Sequence, residues 1–86
     1  MKLQYTDQFV KDYHNLPPNI QKQTDRKLRF LLEDIGHPSL RVKKIKGEKR
    51  NIYEGSVTMN YRFLFQIKGD TYLLLAIGSH KKMLGR

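Results

Sequence analysis

Residues 61–78, YRFLFQIKGDTYLLLAIG, decide the fold. Tyr61, Phe63, Phe65 and Ile67 alternate with Arg62, Leu64 and Gln66, and a period of two sends the first set to one face of a strand and the second to the other. Lys68-Gly69-Asp70 then supplies a tight turn. Thr71 to Gly78 runs almost without a polar break, the pattern of a strand with neighbours on both sides. So apolar a hairpin needs a layer of other elements over one face.

Working back along the chain, Ile52 to Val57 reads as a strand ending in a Thr58-Met59-Asn60 turn. Arg41 to Lys46 reads as another, with Val42 alternating against lysines and a turn around Gly47 to Arg50. The N-terminal part supplies the cover. Leu3 and Tyr5 alternate with Lys2 and Gln4 in a short edge strand, and Thr6 or Asp7 offers an N-cap oxygen. Phe9, Val10, Tyr13 and Leu16 follow at helical spacing until Pro17-Pro18 stops them. A second helix opens at Pro18 or Asn19, keeps Ile20, Thr24, Leu28, Leu31, Leu32 and Ile35 on one face, and is expected to close at a left-handed Gly36. His37-Pro38-Ser39 is the loop out. The order β-α-α-β-β-β predicts an α+β fold, a helical hairpin packed on a twisted, mainly antiparallel sheet, in a single domain over residues 1–86.

Charge is distributed unevenly. Up to Leu40 the chain has six Lys/Arg against five Asp/Glu; from Arg41 onward it has eleven against three. Almost all of the net charge of +9 therefore belongs to the strand-rich half. Positive charge at this density favours a polyanionic partner, and nucleic acid is the commonest. The chain of 86 residues has no Cys, which excludes disulfides and thiolate metal sites and fits a reducing cytoplasm. No apolar run approaches the roughly 18 residues that cross a bilayer, the N-terminal MKLQYTD lacks the apolar core of a signal peptide, and no basic amphipathic helix suggests a membrane surface.

Two side chains stand out as candidates for chemistry. Arg62 projects from a well-defined strand on the face opposite Phe63 and Phe65, where a rigid guanidinium makes a good phosphate clamp. His80 follows Gly78-Ser79 where the chain leaves the sheet, and imidazole carries protons near neutral pH. Their bland counterparts are an arginine that keeps a sheet face wet and a histidine at a strand end. His14 and His37 read as structural or exposed. No pair of His has metal-ligand spacing and no carboxylates cluster, so no metal and no cofactor are expected. His, Arg and Lys without a metal suit RNA cleavage by the substrate's own 2′-OH, a nucleophile that DNA lacks.

The stretch HPSLRVKKIKG, followed by IYEGSV, NYRFLFQIKGDTYLL and IGSH, resembles the RelE/ParE toxin superfamily of bacterial toxin–antitoxin systems, most closely the RelE-like mRNA interferases. The likeness covers nearly the whole chain and is strongest from His37 to His80. It implies a toxin that cuts mRNA on the ribosome and is held inactive by a cognate antitoxin wrapped over it. Tyr61-Arg62 matches the family's recurring catalytic arginine position, and His80 the position after the last strand where members carry Arg or His. Some members have two lysines on the strand before the Tyr-Arg pair, where this chain shows Tyr53 and Gly55. Phosphate or ribosomal RNA contact is accordingly assigned to Arg41, Lys43, Lys44 and Lys46, extended by Lys81 and Lys82. The aromatic residue that many members carry near the C-terminus is absent from KKMLGR, which leaves base stacking to Tyr53. Two alternatives stand beside the interferase: a ParE-like protein that inhibits DNA gyrase without catalysis, and a degenerate, non-catalytic RNA- or ribosome-binding module. A basic toxin needs an acidic or amphipathic antitoxin segment across its sheet and helices.

Overall fold

The computed structural model describes residues 1–47 and 49–81. Its elements are β1 (Lys2–Tyr5), α1 (Asp7–His14), α2 (Pro18–Glu33), a short 3₁₀ turn (Pro38–Leu40), β2 (Lys43–Lys44), β3 (Tyr53–Ser56), β4 (Tyr61–Lys68) and β5 (Thr71–Ser79). They build one five-stranded sheet in the order β1-β5-β4-β3-β2, with β1 parallel to β5 and every other pair antiparallel. The β-α-α-β-β-β order, the helix-covered face and the mainly antiparallel sheet all appear as the sequence implies.

β4 and β5 form the frame. Lys68 pairs with Thr71 across Gly69, whose φ of 60° is the left-handed value that a two-residue hairpin turn asks of its first residue. Phe63, Phe65 and Leu74 are fully buried, and with Phe9, Leu28, Leu31, Leu40 and Ile77 they form the core between sheet and helices. A register shift between Leu64 and Phe65 leaves Leu75 as an extra residue on β5, a bulge.

That bulge is where α1 is anchored. β1 pairs with β5 only from Thr71 to Leu74, so the outer edge of β5 beyond that point has no strand beside it. The Thr6 hydroxyl donates to the Leu75 carbonyl (2.9 Å), and the same oxygen accepts from the Phe9 amide (3.1 Å), capping α1. One turn later, Asp12 Oδ2 accepts the Ile77 amide (3.1 Å). The helix thus stands in for a missing strand. The turn into α2 is stiffened by Pro17 and Pro18, and Tyr13 Oη donates to Asp25 Oδ1 (2.8 Å), tying the two helices together. The hydrogen bond to Asp25, followed by burial, raises the Tyr13 pKa above its ordinary value near 10.

Two local expectations are corrected. Gly36 does not close α2 in a left-handed conformation; the helix ends at Glu33 because Asp34 turns extended, with φ of −163°, and its carboxylate takes the Gly36 amide (2.9 Å). The strand expected over Arg41 to Lys46 shrinks to Lys43–Lys44, because Arg41 sits at φ 48° after the 3₁₀ turn and Gly47 at φ 77° reverses the chain.

Gly55 has no room for a side chain: a Cβ there would lie 2.3 Å from Cζ of Phe63, a ring with no exposed surface. Gly55→Ala is expected to cost about 1–3 kcal/mol through overpacking. Asp12→Ala, which orphans the Ile77 amide, is expected to cost about 1–3 kcal/mol, with Asp12→Asn recovering part of it. Urea unfolding midpoints of the three variants check both values.

Candidate functional site

The site forms on the face that the helices leave open, at the end of the sheet bearing the β3–β4 turn. Ser56 and Gly78 are the cross-strand neighbours of Arg62, and Glu54 pairs with Leu64. A glycine on one side and a small hydroxyl on the other flank the Arg62 side chain. It folds back so that Nη1 donates to the Thr58 carbonyl and to the Tyr61 carbonyl, the latter at 3.2 Å. Nε lies 3.8 Å from Glu54 Oε1. The same carboxylate oxygen is 3.7 Å from Lys43 Nζ. Side-chain exposure is 14% for Arg62 and 12% for Glu54, so this ion pair is partly shielded from solvent, whereas Lys43 is 66% exposed.

His80 follows the last residue of β5, where the backbone leaves the sheet and turns helical. Tyr61 pairs with Ser79, and the His80 amide donates to the Asn60 carbonyl (2.6 Å). Arg62 lies opposite Gly78, two residues before His80, so both candidates belong to the same end of the β4–β5 hairpin. His80 Nδ1 is buried and has no hydrogen-bond partner among the described residues. A buried polar atom left unpaired is costly unless something supplies a partner.

The remaining candidates divide into two groups. Lys43 and Glu54 form a cross-strand pair, which brings Lys43 to the face of Arg62. Arg41, exposed in the turn before β2, lines a cleft with Arg62. Lys44 is paired with Tyr53 on the opposite face, and with Lys46 and Lys49 it borders a broad depression around Gly47. The single patch expected from the sequence is two patches. Lys81 is exposed next to His80, and Lys82 lies outside the described residues. Tyr53 is not brought to Arg62: its ring stacks on the buried Phe65 at 5.6 Å and 25°, on the core side of the sheet. The positions on β3 that share the face of Arg62 are Glu54 and Ser56, and Tyr53 and Gly55 point the other way. Glu54 was missed by sequence reasoning because nothing local marks it; the register across β2, β3 and β4 makes it the shared counter-ion. Among the described residues there is no cluster of three His, Cys, Asp or Glu suited to a metal, and no helix long and apolar enough to cross a membrane.

Two helices on one face of such a sheet, with basic side chains on the other, define a class of small basic α+β proteins that includes solved toxins. A chain of the RelB–RelE antitoxin–toxin complex from Methanococcus jannaschii superposes with a TM-score of 0.77 at 24% identity, over 95% of each chain. The YoeB/ParE toxin from Agrobacterium tumefaciens gives 0.76 at 16% identity, over 93% of this chain and 99% of that one. The intact RelBE complex from E. coli gives 0.69 at 19% identity, over 88% and 92%. These likenesses establish the fold. No curated protein matches the sequence at a significant level. The model of the family described as ParE toxin of type II toxin-antitoxin system, parDE, matches residues 3–84, and the chain belongs to that family. It is a toxin of a toxin–antitoxin system within the RelE/ParE superfamily.

Glu54 occupies the place beside Arg62 and Lys43 where an anion would bind. Replacing it by Gln frees both cations, and Glu54→Gln is expected to gain about 1 kcal/mol more stabilisation from added inorganic phosphate than the unaltered protein, about 4–8 °C in Tm. Asp70→Asn changes net charge equally at the far end of the β4–β5 hairpin and is expected to gain nothing extra; thermal denaturation with and without phosphate distinguishes them.

Proposed function

We propose that the chain acts as one toxin domain over residues 1–86, a metal-independent endoribonuclease that cuts mRNA, on the ribosome, in the cytoplasm. The observation that carries this reading is that Arg62, opposite Gly78, and His80, two residues past Gly78, come to the same end of the β4–β5 hairpin, one a phosphate ligand and the other a proton carrier whose buried Nδ1 has no partner among the described residues. In the reaction the 2′-oxygen attacks the neighbouring phosphorus while its proton is removed, and the bond to the 5′-oxygen breaks as that oxygen takes up a proton. The products are a 2′,3′-cyclic phosphate and a free 5′-hydroxyl. Arg62, with Lys43, stabilises the charge that builds on the phosphoryl oxygens once the phosphate displaces Glu54. His80 serves one of the two proton transfers. Arg41 and Lys81 contact neighbouring phosphates, and Lys44 and Lys46, on the other patch, hold ribosomal RNA. Tyr53 has no part in stacking, because its ring is committed to Phe65. Lys82 is assigned to RNA contact by its place in the sequence next to Lys81.

An antitoxin is the expected protein partner. Two of the similar structures are RelB–RelE and RelBE complexes, and an acidic segment would complement the net charge of +9. One observation favours a second reading: Glu54 already neutralises Arg62, as suits a toxin that binds a protein such as DNA gyrase and cleaves nothing, or a degenerate RNA-binding module.

Inducible expression in bacteria, with primer extension on a reporter mRNA, tests the proposal. Growth arrest with new mRNA ends is expected for the unaltered protein. Both effects should be lost in Arg62→Ala, and His80→Ala should cleave about 10²–10⁴-fold more slowly. Arrest without new ends supports the gyrase reading, and its persistence in His80→Ala would exclude a catalytic role for that residue.

A further inference from the structure

The cleft that Arg62 shares with Arg41 has a third cation in its wall. Where α2, the 3₁₀ turn and the β3–β4 turn meet, a cavity of about 230 Å³ is lined by Lys27, Arg41 and Arg62 together with the hydroxyl-bearing Ser39, Ser56 and Thr58. The three cations come from elements far apart in sequence, α2, the segment before β2, and β4. No carboxylate lines the cleft. Among the described residues, neither Lys27 nor Arg41 has a carboxylate within ion-pair distance. Lys27 and Arg41 repel each other and are repelled by Arg62, whose Nε alone faces Glu54, and the arrangement is stabilised when an anion sits among them.

The wall that carries Lys27 is well braced. The Lys27 ammonium lies 5.9 Å from the centroid of the Phe30 ring. His37 stacks flat on the same ring at 4.2 Å and 8°. His37 Nδ1 accepts the Ser39 amide (3.2 Å) and lies 2.8 Å from the Ser39 hydroxyl, so aromatic stack, turn and cleft are one connected unit. Burial, then the neighbouring Arg26, lowers the Lys27 pKa from its ordinary value, the direction expected of a partly covered ammonium beside another cation. The volume is below the roughly 300 Å³ at which whole-ligand pockets begin, and it suits a phosphate group better than a nucleoside.

We propose that this cleft is a second phosphate seat, in which Lys27 and Arg41 hold the phosphodiester next to the one placed between Arg62 and His80, so that a single-stranded RNA is gripped at two successive phosphates. The proposal rests on the endoribonuclease reading for its choice of ligand. Lys27 becomes a binding residue that sequence reasoning did not identify, and Arg62 becomes the divider between two seats. The cleft positions the RNA and takes no part in proton transfer.

The test uses an uncleavable 2′-O-methyl RNA decamer, with binding followed by fluorescence anisotropy over a series of salt concentrations, alongside cleavage of the all-ribose decamer presented with ribosomes. Removing one phosphate contact lowers the log–log salt slope by about 0.7 for single-stranded nucleic acid. Lys27→Gln/Arg41→Gln is expected to show that drop with at least a several-fold weaker affinity, and Lys27→Arg/Arg41→Lys to retain both. Lys2→Gln/Lys68→Gln removes the same charge at the other end of the sheet and is expected to keep the slope. Equal losses in the two Gln double variants would overturn the cleft as a seat and leave the endoribonuclease reading to the cleavage assay. Absence of salt-dependent binding by the unaltered protein would overturn the seat, and absence of cleavage as well would overturn both.

Discussion

The structure depends on how the outer edge of β5 is satisfied. β5 has nine residues and β1 only four, so half of an interior strand would otherwise present bare amides and carbonyls. Buried backbone groups of that kind are almost always paired. Here the partners are side chains of the first helix: Thr6 for the Leu75 carbonyl and Asp12 for the Ile77 amide. The two bonds fix α1 in position along the sheet, and with it Phe9, whose ring is buried in the core and stacks between Tyr5 and Tyr13. α2 is then set by its proline turn and by the Tyr13–Asp25 bond. The bulge at Leu75 is part of the same device, because it occurs where the strand neighbour gives way to the helix.

The functional end of the sheet shows the opposite condition, groups that lack a settled partner. Glu54 serves Arg62 and Lys43 together, one carboxylate against two cations. His80 Nδ1 has none among the described residues. A protein stabilised elsewhere by a filled core can carry such imbalances, and they mark where an external anion or donor completes the arrangement. Lys43 and Lys44 have a further physical role: as the residues of the short edge strand β2 they discourage another strand from pairing there.

Much of the fold was legible because its signals are local. Alternation in Tyr61–Lys68, the Gly69-Asp70 turn, the Thr6 cap and Pro17-Pro18 each mark an element with no need of tertiary knowledge. Failures came where two local signals compete or where register decides. Gly36 looked like a helix stop, yet Asp34 stops the helix first by bonding the Gly36 amide. Lys43, Lys44 and Lys46 looked like one patch, but alternation and the early end of β2 separate them. Tyr53 could not be assigned a face until its pairing with Phe65 was known. Local sequence signals nominate Arg62 and His80 as candidates but do not mark Glu54 or Lys27, whose proximity to Arg62 arises only when three strands and a helix come together.

The parallel pairing of β1 with β5 has a consequence for biosynthesis. Residues 2–5 find their strand partners at residues 71–74, and Asp12 its amide at Ile77, so during synthesis β1 and α1 wait for β5. Contacts of this sequence separation are slow to form and expensive in loop entropy. A nascent chain cut off before Thr71 has neither the hairpin that frames the core nor the edge on which α1 docks. Chains that stop short of β5 therefore cannot assemble the sheet, which confines any activity of the fold to chains that include it.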